Sequence, residues 1–277
     1  MHHLSMLILG AVQGAAEFLP ISSSGHLALA KMLMKNDTEI AALSEMPMLL
    51  DILLHLATLL AVLIFFRKQI AEAVLGGARL LKSLFSGTAG KRLREDDGAM
   101  VALCVLIATV PTAILGFALK DAAETFGASA QMLGLTFLVC GGVLVLTRFK
   151  PGSDKRLTMW TAVLIGLAQG IAVLPGLSRS GTTIAVALML GLSRKEAFSF
   201  SFLLSIPAIL GAAVLEIDPE QLATGDHLAA FSVAVIAAFA VGFGALFFLS
   251  KTVDKGRLWW FAPYMGAVGI FALISGI

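Results

Sequence analysis

Long apolar runs separated by short polar segments dominate the chain. A helix needs roughly 20 mostly apolar residues to cross a lipid bilayer. Six runs reach about that length: 48–66, 99–119, 130–148, 197–217, 228–249 and 258–276. We therefore predict an all-α, polytopic membrane protein with six spanning helices.

Four further apolar runs are too short to cross a bilayer. They form two pairs, 4–19 with 22–35 and 158–174 with 180–192, and Ser, Gly and Pro interrupt each pair. Interrupted backbone at membrane depth is tolerated only where protein or a water-filled cavity satisfies its polar groups. We predict that each pair is a re-entrant helical hairpin, over 4–35 and 158–192, which enters the membrane and returns to the same side.

The composition agrees with a membrane protein and excludes several other classes. Apolar residues make up 58% of the 277 positions and charged residues only 14%. A net charge of +2, with the basic residues scattered among loops, argues against nucleic acid as a partner. Cys104 and Cys140 both lie inside apolar runs, so we expect packing residues rather than a disulfide or a thiolate metal site.

The distribution of Lys and Arg predicts the orientation. Sixteen of the twenty fall in or beside four segments, 67–98, 148–157, 194–195 and 250–257. Cytoplasmic loops of membrane proteins carry an excess of these residues. We expect those segments to be cytoplasmic, both termini to lie on the outer (periplasmic) side of a bacterial inner membrane, and the first hairpin to open outward.

The two hairpin segments are related in sequence at a constant offset of 156 residues. GAVQGAAEFLPISSSG (10–25) and GLAQGIAVLPGLSRSG (166–181) are identical at seven of sixteen positions. With opposite predicted orientations, they indicate an inverted repeat within a single membrane domain, 1–277. We assign its halves to 1–148 and 158–277, and expect both hairpin breaks to meet near the middle of the membrane, where such repeats place substrate sites.

The residues at the breaks favour an anion. A helix N-terminus presents free backbone N–H groups and the positive end of the helix dipole, and phosphate is a common ligand there. Arg179 adds a charged fork at a depth where arginine costs about 2.5–3.5 kcal/mol and normally marks a functional site; the alternative is that it only pairs with Glu17 to hold the hairpins together. Residues expected to contact the phosphate are Arg179, Ser22, Ser24, Gly25, Ser178, Ser180 and Thr183.

Residues that differ between the two repeats are the candidates for catalysis. Glu17 stands where the second repeat has Val173, and His26 where it has Thr182. Gln13 and Glu17 share one helical face and could present oxygen ligands to Mg²⁺. His26 follows Ser23 by three residues and could deprotonate it, activate water or react itself. Structural roles for Glu17 and His26, as partners of Arg179 or of backbone groups, remain the alternatives.

A second pair of polar residues, Asp51 and His55, has the i, i+4 spacing of one helical face. These two side chains could line the outward cavity. A hydrogen-bonded pair without a further role fits the sequence at least as well.

QGAAE followed by FLPISSSGH, and PGLSRSGTT at 175–183, resemble the two signature motifs of the undecaprenyl pyrophosphate phosphatase family, also known as bacitracin-resistance proteins. The resemblance extends along essentially the whole chain. It implies a membrane enzyme that removes the terminal phosphate from a polyprenyl pyrophosphate, so that the lipid carrier of cell-wall synthesis is recycled, with a divalent cation (Mg²⁺ or Ca²⁺) as cofactor.

The resemblance also implies roles for individual residues. The catalytic set would be Ser23, His26, Glu17 and Arg179, with metal ligands Glu17 and Gln13 and the second motif around Ser178–Thr183 on the phosphate. Members of the family often carry glutamate at the position of Gln13, so Glu17 is the only carboxylate that the first motif supplies here.

Two questions stay open at the level of sequence. Inverted repeats with broken helices are also the architecture of secondary transporters, so a carrier that moves a lipid phosphate without cleaving it is the alternative function. Within the enzyme reading, Ser23, His26 or water could attack phosphorus. Membrane lipids are expected partners, and a homodimer is left open.

Overall fold

A computed structural model describes residues 3–33, 48–150, 152–216 and 228–275, and these residues form helices without a β-sheet. We number the α-helices in chain order: α1 His3–Phe18, α2 Ser23–Leu33, α3 Met48–Phe65, α4 Arg67–Phe85, α5 Ala89–Glu95, α6 Asp97–Ala118, α7 Lys120–Gly127, α8 Ala130–Leu146, α9 Met159–Ile171, α10 Arg179–Met189, α11 Arg194–Glu216, α12 Leu228–Asp254 and α13 Ala262–Ile274. A 3₁₀ turn, Leu258–Phe261, precedes α13.

Each of the six predicted spans is helical, which confirms the all-α membrane architecture. In the described part of the chain, three helices are long and apolar enough to cross a bilayer alone, over Asp97–Ala118, Arg194–Leu215 and Phe231–Asp254. Two bent pairs, α3 with α4 (80°) and α7 with α8 (108°), raise the number to as many as five. The sixth predicted span, 258–276, is shorter than expected, because the 3₁₀ turn occupies its start and α13 has 13 residues.

The predicted breaks fall where the sequence placed them. In the first hairpin α1 ends at Phe18 and α2 begins at Ser23, and in the second α9 ends at Ile171 and α10 begins at Arg179. Both α2 and α10 have 11 residues, and their first residues are 156 positions apart. The loop 218–227, which carries no basic residue, lies outside the described residues.

Glycines let the first helix of each hairpin pack very closely on a long helix. A Cβ atom at Gly10 in α1 would come within 2.1 Å of the Ala234 carbonyl oxygen in α12. A Cβ atom at Gly166 in α9 would come within 2.3 Å of the Ala108 carbonyl oxygen in α6. The two contacts are made by residues at equivalent positions of the repeat, and each positions the last turn of a hairpin helix, and with it the break that follows.

The helices α4 and α5 carry many charged residues on their exposed surfaces, and α4 is joined to the start of α6 by an ion pair. Asp96 caps α6 by accepting a hydrogen bond from the Ala99 N–H (3.2 Å), and its carboxylate accepts two hydrogen bonds from Arg79 (2.7 and 3.1 Å). The Arg79 guanidinium holds the pKa of the Asp96 carboxyl below its usual value. The bond anchors the surface helix α4 at the start of α6.

The buried interior is apolar around the breaks. Phe18, the last residue of α1, is fully buried and packs against Phe202 of α11 with ring centroids 5.7 Å apart. Cys104 and Cys140 are both buried free thiols, as predicted for packing residues. The polar groups at the end of α1 therefore lie between a buried aromatic core on one side and the second hairpin on the other.

Candidate functional site

The two hairpin breaks meet at one cleft of about 290 Å³, a volume that includes the space at its open side. Both hairpins contribute to its lining, which consists of Ala16, Glu17, Ser22, Ser23, Ser24, Ala172, Leu177, Ser178 and Arg179. Six of these nine residues carry polar side chains, although the surrounding chain is largely apolar. The cleft is therefore a polar, partly open site between the membrane helices.

An ion pair between Glu17 and Arg179 joins the hairpins at this cleft. Glu17 lies in the last turn of α1 and Arg179 is the first residue of α10; Arg179 Nη2 donates to Glu17 Oε1. The Glu17 side chain is 7% exposed and that of Arg179 19%. The other carboxylate oxygen of Glu17 accepts weaker hydrogen bonds from Ser23 Oγ (3.3 Å) and Gln13 Nε2 (3.4 Å).

The guanidinium of Arg179 is only partly satisfied. Its Nη1 atom is buried and, among the described residues, has no hydrogen-bond partner. Because a guanidinium stays charged in proteins and offers five donors in a fixed fork, a buried donor without an acceptor is costly unless a ligand supplies one. A phosphate oxygen is the acceptor that fits this donor best.

Two serines at equivalent positions shape the start of the second helix in each hairpin. Ser178 caps α10, since its Oγ accepts from the Gly181 N–H (3.2 Å), and Ser22 Oγ accepts from the Gly25 N–H in the same way (3.3 Å). Ser22 Oγ also accepts from the Gly176 N–H of the other hairpin (3.0 Å). Ser22 thus links the breaks, and the N-termini of α2 and α10 both border the cleft.

The structure does not bring every predicted phosphate ligand to the cleft. Ser180 Oγ donates to the Phe18 carbonyl (2.8 Å), and Thr183 Oγ1 donates to the Arg179 carbonyl (2.8 Å) and contacts Ser201 Oγ. Both side chains are buried at the helix contacts. Gly25 packs against Gly176, where a Cβ atom would come within 2.6 Å of the Gly176 nitrogen. These three residues fix the hairpins against their neighbours instead of lining the cleft.

His26 is placed differently from the prediction that it deprotonates Ser23. Its Nδ1 atom lies 2.8 Å from the Ser22 carbonyl oxygen and its Nε2 atom 2.7 Å from the Tyr264 hydroxyl. Both ring nitrogens therefore have partners other than Ser23, whose hydroxyl donates to Glu17 instead. The spacing of three residues put His26 and Ser23 on adjacent turns but could not show which way the imidazole turns.

His55 lies beside Glu17 at the cleft, a position that the sequence indicated only weakly. Its Nδ1 atom binds the Asp51 backbone carbonyl (2.9 Å), and its Nε2 atom lies 3.7 Å from Glu17 Oε2. Asp51 itself stays half-exposed, with its carboxylate 3.7 Å from His55. The i, i+4 spacing of the two residues was the available signal, and it could not tell which of them faces the first hairpin.

A divalent cation fits this site only with help from a ligand. Within the described part of the chain, no group of three or more His, Cys, Asp and Glu side chains is arranged to hold a metal. Glu17 provides a single carboxylate, and Gln13 can turn its amide oxygen toward the same point. Mg²⁺ is commonly held by one or two carboxylates together with water and substrate phosphate, so the donors present suit a cation shared with a phosphate group.

Comparison with known proteins agrees with this site. The family model described as bacitracin resistance protein BacA matches residues 6–271. A protein of Desulfatibacillum aliphaticivorans named undecaprenyl-diphosphatase is 40% identical over 99% of both chains. Proteins of the same name from Treponema denticola (42% identical, over 95% of this chain and 94% of the relative) and Methanosphaera stadtmanae (38% identical, over 99% and 98%) are also similar along nearly their whole length. The chain belongs to the BacA family of bacitracin resistance proteins.

Proposed function

We propose that the protein is a membrane-embedded phosphatase that hydrolyses undecaprenyl or a similar polyprenyl pyrophosphate to the monophosphate and phosphate. The observation that carries the proposal is the buried Nη1 of Arg179 beside the serine-lined cleft, which has no partner among the residues that the structure describes. Relatives named undecaprenyl-diphosphatase, each similar along nearly its whole length, support this choice of substrate. Such an activity recycles the lipid carrier of cell-wall synthesis and accounts for a link to bacitracin resistance.

The diphosphate is bound by charge and by helix ends. Arg179 keeps one nitrogen on Glu17 and directs Nη1 to a phosphate oxygen. The N-termini of α2 and α10 add backbone N–H groups and two positive dipole ends, and Ser22, Ser24 and Ser178 border the same space. Phosphoryl transfer depends chiefly on such positioning and charge stabilisation. An anion bound here is therefore also stabilised as it approaches the transition state.

Ser23 is the nucleophile in our proposal, and Glu17 replaces His26 as its base. Ser23 Oγ already donates to Glu17 Oε2. As its proton passes to Glu17, Oγ forms a bond to the terminal phosphorus, and the bond from that phosphorus to the bridging oxygen breaks, releasing the lipid monophosphate. Glu17 passes this proton to the departing monophosphate. Water then attacks the phosphoserine as its bond to Oγ breaks; the water hydroxyl leaves as part of phosphate, and its other hydrogen returns to Ser23 Oγ.

The lipid tail has an apolar path beside the cleft. Val12 on α1 and Ile171 and Val173 in the second hairpin are 56%, 45% and 40% exposed. In a bilayer these side chains contact acyl chains. A polyprenyl tail can therefore stay among lipid chains while its head group enters the cleft.

Our proposal includes a divalent cation, Mg²⁺ or Ca²⁺, held by Glu17 and Gln13 together with the substrate. When bound, it would neutralise part of the diphosphate charge. We further place the protein in the bacterial inner membrane as an inverted repeat of 1–148 and 158–277, with both termini and the cleft toward the periplasm, on the strength of the Lys and Arg distribution.

The transporter alternative finds no support in the comparisons, since the relatives are named as phosphatases. The test is release of phosphate from undecaprenyl pyrophosphate by purified protein in detergent, with and without Mg²⁺ or a chelator. We expect Mg²⁺-dependent release at a rate proportional to protein concentration. Tight binding of the lipid without release, by protein that unfolds cooperatively on heating, would favour a carrier and overturn the proposal.

A further inference from the structure

Ser22 adopts a backbone conformation that needs outside support. It is the only non-glycine residue in the described part of the chain with a positive φ, at 66°. Residues with a Cβ atom rarely adopt this left-handed conformation, and it persists only where the surroundings hold it. Ser22 directly precedes Ser23, so its backbone determines where the proposed nucleophile points.

His26, in the first turn of α2, supports the Ser22 conformation. The Ser22 carbonyl oxygen accepts two hydrogen bonds from His26, one from the backbone N–H (3.2 Å) and one from the ring Nδ1–H (2.8 Å). A carbonyl oxygen has two lone pairs, and both are used here. Because a carbonyl oxygen can only accept, Nδ1 is the donor in this bond, and in the neutral imidazole Nε2 is then an acceptor for a hydroxyl.

Tyr264 provides that hydroxyl. Its hydroxyl lies 2.7 Å from His26 Nε2, and the two rings are nearly parallel, with an interplanar angle of 6° and centroids 5.5 Å apart. Phe137 of α8 packs edge-on against the same imidazole, with centroids 5.2 Å apart. Tyr264 belongs to α13, which is distant in sequence and does not line the cleft.

We propose that Tyr264 is a positioning residue for the phosphatase site. Its hydroxyl fixes His26 in the tautomer whose Nδ1–H donates to the Ser22 carbonyl. This hydrogen bond supports the backbone conformation of Ser22, which keeps Ser23 aligned with Glu17. Without the hydroxyl, Nε2 loses its donor and the imidazole can exchange tautomers or rotate. Loss of the hydroxyl therefore disturbs the alignment of the reacting groups more than it disturbs substrate binding, because the contacts of Arg179 do not change.

Two measurements test this role, and only the second rests on the proposed function. Tyr264 is the only tyrosine in the chain, so protein labelled with ¹³C at the tyrosine Cζ gives one signal that reports the hydroxyl's hydrogen bond. We expect that signal to shift in His26→Ala and to stay unchanged in Ser275→Ala, which removes the hydroxyl of the residue that follows α13; this hydroxyl donates to the Ala272 carbonyl. An unchanged signal in His26→Ala would overturn the contact whatever the enzyme's activity.

The kinetic measurement compares Tyr264→Phe, which keeps the ring and removes the hydroxyl, with the same Ser275→Ala control. We expect Tyr264→Phe to lower kcat about tenfold while KM changes less than twofold, since small misplacements of reacting groups are costly. In a His26→Ala background the same change should have no further effect, because Tyr264 acts through His26. Equal losses in both backgrounds, or no loss in either, would refute the positioning role.

Discussion

Arg179 donates to Glu17 across 162 residues of sequence, and this ion pair joins the two hairpins at the cleft. Each partner comes from the end of a helix at a break, so neither could reach the other if the breaks did not meet. One guanidinium nitrogen is used in this way, and Nη1 is left for a ligand. The pair is therefore both a structural link and half of a phosphate clamp.

Arg179→Ala should lower phosphate release at least about 10³-fold, since removing a single transition-state donor already costs roughly 10²–10³-fold. The control is Arg156→Ala, which removes an exposed arginine from the loop before α9 and should leave the rate unchanged. Phosphate release from undecaprenyl pyrophosphate measures both. Activity within a few-fold of normal in Arg179→Ala would contradict the clamp.

Ser23→Ala and Glu17→Gln should each lower kcat by about 10²-fold or more, because they remove the proposed nucleophile and its base. Ser199→Ala, which removes a hydroxyl that donates to the Glu196 carbonyl away from the cleft, should leave kcat unchanged. Rapid-quench detection of phosphoserine in the wild type is the direct measurement. A nearly normal rate in Ser23→Ala with an inactive Glu17→Gln would instead assign the attack to water.

Gly10→Ala should destabilise the protein by about 1–3 kcal/mol, as overpacking does in other tightly packed interiors, because the new Cβ atom meets the Ala234 carbonyl oxygen. Gly244→Ala, on the α12 helix that Gly10 contacts, has no heavy atom within 4 Å of the new Cβ and should be neutral or slightly stabilising. Thermal unfolding in detergent distinguishes them. Equal midpoints for the two variants would show that α1 and α12 are not packed this closely.

Asp96 should give the protein an acid-sensitive component of stability. Its pKa is lowered in the folded protein by the hydrogen bonds from Arg79, so its contribution is present above the unfolded pKa of about 3.9 and is lost as the pH falls through the folded value. Asp96→Asn keeps an N-cap side chain but loses the charge, and should flatten the decline in unfolding temperature below about pH 5. Asp154→Asn, in an exposed loop, serves as the comparison. An identical decline in wild type and Asp96→Asn would exclude the effect.

Much of the fold could be read from local patterns, because a bilayer accepts few backbone arrangements. The apolar runs gave the helices, and the Ser, Gly and Pro residues between short runs gave the breaks after Phe18 and Ile171. The site was predicted as far as residue type allowed: Glu17, Ser23 and Arg179 meet at the cleft. Ser180 and Thr183 were expected there too, but their hydroxyls satisfy backbone carbonyls at helix contacts.

By itself, the sequence determined where helices start and stop and which residue types could bind an anion, since both follow from hydrophobicity and spacing along the chain. Only the tertiary structure decided which groups meet. The close packing of α1 on α12 and of α9 on α6 brings Glu17 to Arg179, and the position of α13 gives His26 a tyrosine in place of Ser23 as its partner. Such contacts depend on how distant helices pack together, and no local pattern encodes the direction in which a single side chain finally points.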